Sequence, residues 1–125
     1  MPTVLLVDDD GGVRQVLSDC LTTAGFDVIA AEDTVGALRH LQAQKIDLCL
    51  VDLVMPHGVP DGAEFARDVH AQKFNIPVIL MTGYYTAAER AQGLGLLLYK
   101  PVNLDQLVAE IEDQLSSYRG QSPPA

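Results

Sequence analysis

The chain of 125 residues has room for one domain built on one core. Its 17 acidic and 8 basic side chains leave a formal charge of −9, the wrong balance for neutralising nucleic-acid phosphates, which calls for clustered Lys and Arg. No apolar run approaches the ~18 residues of a membrane span, and no basic segment followed by an apolar one opens the chain, so a cytoplasmic protein with no nucleic-acid or membrane partner is expected.

In chain order, Thr3–Val7 is a short apolar strand. After Asp8, Asp9 and Asp10, the residues Val13, Val16, Leu17, Cys20 and Leu21 fall on one face of a helix that stops near Gly25. Val28–Ala31 is a second strand, and Val35, Leu38 and Leu41 stripe the helix after it. Asp47–Asp52 reads as the third strand. Asp61 with Glu64 resembles a cap opening a helix whose inner face is Phe65, Ala66 and Val69 and which ends near Lys73. Pro77, lacking an amide donor, flanks the strand Val78–Thr82. Thr86 with Glu89 is a capping box for a further helix, kept short by Gly93 and Gly95. Leu96–Lys100 is the fifth strand. Asn103 with Gln106 caps a last helix that turns Leu104, Leu107, Val108, Ile111, Leu115 and Tyr118 inward. Residues 1–119 form the domain, and 120–125 are expected to be a disordered tail. Cys20 and Cys49 read as small buried residues rather than a disulfide or a metal pair.

Strands that are continuous apolar runs belong to sheets covered on both faces, so the alternation predicts an α/β fold: five right-handed βα units, a doubly wound parallel sheet and a three-layer α/β/α sandwich. In such a sheet ligands bind where the carboxyl ends of the strands meet. There this chain places Asp8-Asp9, Asp52, Thr82-Gly83 and Lys100. Alone, Asp8-Asp9-Asp10 is a solvated turn whose last carboxylate caps the next helix. Across a crevice from Asp52, the same acids crowd negative charge that a divalent cation relieves, and hard oxygens without His or Cys favour Mg²⁺. Asp52 follows a wholly apolar run and needs a partner or a chemical task. Lys100 at the end of a buried strand is expected to pair with it, and Pro101 permits a cis bond that aims the ammonium into the crevice. Thr82 and the Gly83 amide can donate to phosphoryl oxygens. Carboxylate nucleophile, cation, ammonium and donors are together the parts of phosphoryl transfer.

Asp-Asp after strand one, Asp after strand three, Thr-Gly after strand four and Lys-Pro after strand five resemble the receiver domain of bacterial two-component response regulators, over residues 3 to about 118. The resemblance implies a flavodoxin-like, CheY-like strand order of 2-1-3-4-5. It also implies that Asp52 accepts a phosphoryl group from a phosphohistidine of a sensor histidine kinase or histidine phosphotransfer protein, so the chain is a phosphorelay signalling protein rather than a turnover enzyme. Asp9 and Asp52 would ligate Mg²⁺ directly, Asp8 through a water, and the Val54 carbonyl would add a ligand. The amides of Val54 and Gly83 would join Thr82 and Lys100 on the phosphoryl group. With no output domain in the sequence, a downstream protein target is expected, met through the face of the fourth helix, fifth strand and fifth helix, with the protein a monomer or weak dimer.

The sequence departs from the family in two places. Met55-Pro56 and Asp61-Gly62 enclose His57-Gly58-Val59-Pro60, two residues more than receivers usually carry. Leu97 stands where the family's switch aromatic is expected, leaving Tyr99, on the same strand parity, or Tyr84 and Tyr85 as candidate reporters. The short span from Thr82 to Lys100 and the Thr82-Gly83-Tyr84 sequence are similar to an atypical subgroup with a weak fourth helix. A phosphatase of the haloacid dehalogenase type also uses an Asp nucleophile with a Thr and a Lys. Its general acid is an Asp two residues after the nucleophile, where this chain has Val54, and no cap domain fits. A nucleotide or flavin carrier lacks its phosphate cradle here. The alternative retained is a pseudo-receiver that binds partners without phosphorylation.

Overall fold

A computed structural model describes residues 1–55, 62–84 and 89–120. Its elements are β1 (Thr3–Val7), α1 (Gly11–Thr23), β2 (Asp27–Ala31), α2 (Thr34–Ala43), β3 (Leu48–Asp52), α3 (Gly62–Ala71), β4 (Val78–Thr82), β5 (Leu96–Tyr99) and α4 (Leu104–Gly120). The five strands form one parallel sheet in the order β2-β1-β3-β4-β5. This is the doubly wound α/β architecture expected from the apolar runs.

Side chains alternate across a strand, so each strand feeds two cores at once. Leu5, Val7, Cys49, Val51, Val78 and Leu80 face α2 and α3, where Ala37, Leu41, Phe65, Ala66 and Val69 meet them. Val4, Leu6, Leu48, Leu50, Ile79 and Met81 face the other way, onto Leu17 and Leu21 of α1 and Leu107, Ile111 and Leu115 of α4. In β3 and β4, burial on both faces leaves no position for a polar side chain until the carboxyl ends, which Asp52 and Thr82 close. Burial also pushes the Cys49 thiol up to about 12, so it stays a neutral core group.

Caps set the helix starts. Asp10 accepts from the amides of Gly12 (2.9 Å) and Val13 (3.1 Å), Asp33 from that of Gly36 (2.7 Å), and Asn103 from that of Gln106 (2.9 Å). Two helices end in Schellman motifs. Past α1, Phe26 N–H donates to Leu21 and Gly25 N–H to Thr22, with Gly25 at φ 101°. Past α3, Phe74 donates to Val69 and Lys73 to His70, and the left-handed position is taken by Lys73 at φ 58°.

Three residues expected to point inward do not. Val16 is 56 %, Val35 55 % and Leu104 37 % exposed. In α2 the buried line is Thr34, Ala37 and Leu41, which leaves Val35 to one side. Val16 and Leu104 instead border an open apolar groove of about 540 Å³ with Val13, Pro101 and Val102. Four helices are present among the described residues, against the five units expected. Between β4 and β5, Glu89–Ala91 make a single 3₁₀ turn, while Thr86 of the anticipated capping box lies outside the described residues. So do Tyr85, the loop His57–Pro60, Asp61 and the tail 121–125. The helix α4 itself runs through Gly120.

Candidate functional site

The register of the sheet brings the distant acids together. Val7 pairs with Val51 and Asp52 with Met81, so Asp8 follows directly on β1 while Asp52 ends the neighbouring strand. Thr82 pairs with Tyr99, which puts Lys100 just beyond the end of β5. Lys100 N–H donates to the Thr82 carbonyl at 2.8 Å, extending that pairing by one residue. The Lys100–Pro101 peptide is cis.

At this end the Lys100 ammonium lies 3.0 Å from Asp8 Oδ2 and 3.4 Å from Asp52 Oδ2. The expected partner, Asp52, is therefore the second of two. Asp8 is the more deeply buried acid, at 0 % exposure, and its other carboxylate oxygen accepts from the Asp10 amide at 2.9 Å. Desolvation pulls the Lys100 ammonium toward its neutral form, but the hydrogen bond to Asp8 and the charges of Asp52 and Asp8 outweigh it and raise its pKa above the usual lysine value. Asp52 is pushed up to about 6, chiefly by burial; the neighbouring Asp8 charge adds to this, while Lys100 and the Val54 amide oppose it.

Carboxylate oxygens of Asp8, Asp9 and Asp52 lie within 4.8 Å of one another. Three hard anionic oxygens gathered this closely, with no His or Cys in the cluster, match the donor set that Mg²⁺ takes. Thr82 is fully buried; its hydroxyl accepts from the Tyr84 amide at 3.0 Å. Gly83 lies beside Lys100, whose Cβ would be 4.0 Å from a Cβ on the glycine. Of the candidate reporters, Tyr84 is 58 % and Tyr99 40 % exposed, and Leu97 packs half-buried against the α2/α3 core.

Gly62 is a participant that spacing alone does not reveal. A Cβ there would collide with the Asp52 carbonyl oxygen and sit 2.8 Å from Leu53 Cα. The Gly62 amide also donates to the Leu53 carbonyl at 3.1 Å, so the start of α3 is pressed against the peptide that carries Asp52. Asp61 with Glu64 marked a helix start in the sequence, but the close approach at Gly62 was not visible there.

The model of the response regulator receiver domain matches residues 4–112. The chain belongs to that family. It is 36% identical over 126 residues to the transcriptional regulatory protein GlrR of Escherichia coli K12, covering 98% of this chain and 27% of that protein. It is 32% identical to the response regulator MprA of Mycobacterium ulcerans, covering 86% of this chain and 47% of the relative. This receiver thus spans about a quarter to a half of those relatives. Among solved structures, a CheY-like receiver domain protein from Methanospirillum hungatei superposes with a TM-score of 0.88 at 23% identity, covering 98% and 99% of the two chains, and bears on the fold. The response regulator protein TrrA of Thermotoga maritima, solved in complex with Mg²⁺-BeF, gives 0.82 at 26% identity over 91% and 99%. The CheY-like order of five parallel strands is that of the receiver family. No described helix is long and apolar enough to cross a membrane.

Proposed function

We propose that this receiver is a phosphoacceptor in which Asp52 takes a phosphoryl group from a phosphohistidine of a sensor histidine kinase or histidine phosphotransfer protein in the cytoplasm. The observation that carries the reading is Lys100, whose single ammonium reaches both Asp8 and Asp52 at the strand ends. An ammonium held there can move onto a phosphoryl oxygen as charge develops. Residues 1–119 would be the working unit, a signalling module rather than a turnover enzyme.

In the transfer, an Asp52 carboxylate oxygen bonds to phosphorus while the P–N bond of the phosphohistidine breaks, and the imidazole leaves with that electron pair and takes up a proton from water. Asp52 must be ionised to attack. With its pKa near 6 the metal-free carboxyl is mostly ionised at pH 7. Asp9 and Asp52 would hold Mg²⁺ directly, Asp8 through a water, with the Val54 carbonyl as a further ligand. When bound, the ion neutralises phosphoryl oxygens and offsets the crowding of three acids. The amides of Val54 and Gly83, the Thr82 hydroxyl and Lys100 would complete the grip on the equatorial oxygens. Thr82 is able to do so by turning its O–H away from the Tyr84 carbonyl, to which it donates at 3.4 Å, while still accepting from the Tyr84 amide. The phosphorylated form would then change its contacts with a downstream protein, acting as a monomer or weak dimer.

Intact mass after incubation with a small phosphodonor and Mg²⁺ tests this directly. One added phosphoryl unit is expected, lost in Asp52→Asn and lost with EDTA. An unchanged mass in the wild-type chain would favour the phosphorylation-independent pseudo-receiver.

A further inference from the structure

Arg14 belongs to the first turn of α1, yet its guanidinium turns back to the end of β1. Its Nη1 donates to the carbonyl oxygen of Asp8 at 2.7 Å, a short bond with a charged donor. That carbonyl belongs to the peptide joining Asp8 to Asp9. The Asp8 side chain is already fixed from both sides, by the Asp10 amide and the Lys100 ammonium. Among the described residues no hydrogen bond or ion pair reaches the Asp9 carboxylate. Its direction is set through its backbone, and Arg14 holds that backbone. An arginine beside an acidic turn can pair with a carboxylate, but it is Lys100 that makes the ion pairs to Asp8 and Asp52. The guanidinium is spent on a neutral oxygen, leaving the Asp9 carboxylate available.

We propose that Arg14 is a positioning residue for the cation site: it locks the Asp8–Asp9 peptide so that the Asp9 carboxylate stays beside those of Asp8 and Asp52. This rests on reading the acidic trio as a Mg²⁺ site. It also makes a prediction opposite in sign to simple electrostatics. A positive charge near a cation site repels the cation, so by Coulomb's law alone its removal tightens Mg²⁺ binding. If Arg14 acts by holding the peptide, its removal loosens binding, as loss of groups that orient metal ligands commonly does.

The test is calorimetric titration of MgCl₂ into the whole chain, as wild type, Arg14→Met and Arg14→Lys, with thermal unfolding of each measured without Mg²⁺. Methionine keeps much of the apolar stem and loses both charge and donor. Binding about tenfold weaker in Arg14→Met, with at least partial recovery in Arg14→Lys, is the expected result. Affinity in Arg14→Met equal to or tighter than wild type overturns the proposal, as does a drop in melting temperature with no change in Mg²⁺ affinity. Should Arg14→Met not fold, Arg14→Gln replaces it, and the affinity order wild type, Lys, Gln must hold. Absence of any Mg²⁺ binding by the wild-type chain overturns the metal reading itself and this inference with it, and is seen before any variant is made.

Discussion

The turn after β1 and the connection from β4 to β5 border the same site, yet they are built to different standards. In the turn, the Asp8 amide, carbonyl and both carboxylate oxygens are all engaged, by Ala31, Arg14, Asp10 and Lys100. In the connection and the strand it leads to, Tyr84 is 58 % and Tyr99 40 % exposed, Gly93 takes φ 77°, and Leu97 of β5 borders an open cavity of about 660 Å³ with Glu89, Ala91, Gln92, Gly93 and Gly95. A hydrogen bond from His70 Nε2 to the Leu94 carbonyl, 2.8 Å long, ties this segment to the end of α3, and the carbonyl acceptor requires that nitrogen to carry the proton. Where the charge of Asp8 is held at fixed distances, the chain over-determines that residue. Along the described part of the connection, it leaves room.

Substitutions can break that contrast from either side. The largest expected effect is at the crowded end: Gly62→Ala drives a methyl into the Asp52 peptide and should cost at least about 3 kcal/mol in urea unfolding, because backbone rather than a flexible side chain must yield. Next is the pH dependence of Asp52. Its pKa is raised from 3.8 to about 6 on folding, so between those values the native state binds more protons than the unfolded chain and stability falls as pH rises. Metal-free wild type should therefore lose on the order of 2 kcal/mol from pH 4 to pH 6 relative to Asp52→Asn. Saturating Mg²⁺, which selects the ionised carboxylate, should abolish the decline. Equal pH profiles of the two proteins would show that burial of this acid carries no such cost.

Smaller effects belong to the looser regions. Leu97→Tyr adds a ring toward an open cavity and should change stability by less than about 1 kcal/mol, whereas enlarging Leu80, fully buried on the neighbouring strand, should cost more. If Leu97→Tyr instead unfolds the protein, the connection is as tightly packed as the acidic turn. Finally, Lys73→Gly relieves a left-handed non-glycine residue in the cap after α3 and should stabilise by about 0.5–1 kcal/mol, raising the melting temperature by a few degrees. The corresponding cap after α1 already has Gly25.

The strands were legible because burial on both faces forces unbroken apolar runs, and the site followed because those runs end in charged or hydroxyl residues. Asp10 and Asn103 announced their helices by cap chemistry. Asp33 does the same work for α2 but passed unnoticed, because the stripe of Val35, Leu38 and Leu41 alone was used to mark that helix. Periodicity located the inner line of each helix but not its width, which is why Val16, Val35 and Leu104 were placed inward: how far a neighbour extends is a tertiary quantity. The pairing of Lys100 with Asp8 as well as Asp52, the close approach at Gly62 and the reach of Arg14 to a carbonyl all join residues through space. No local spacing encodes them.

One consequence of the contact at Gly62 concerns the longer stretch between Met55 and α3. That stretch is strung between two pinned points, Met55 in the core at 3 % exposure and Gly62 against the Asp52–Leu53 backbone. Lengthening a tether whose ends are nailed down costs only a few tenths of a kcal/mol in closure entropy. The two extra residues within His57-Gly58-Val59-Pro60 are therefore a small thermodynamic load, because the described backbone on either side of them is already fixed by packing.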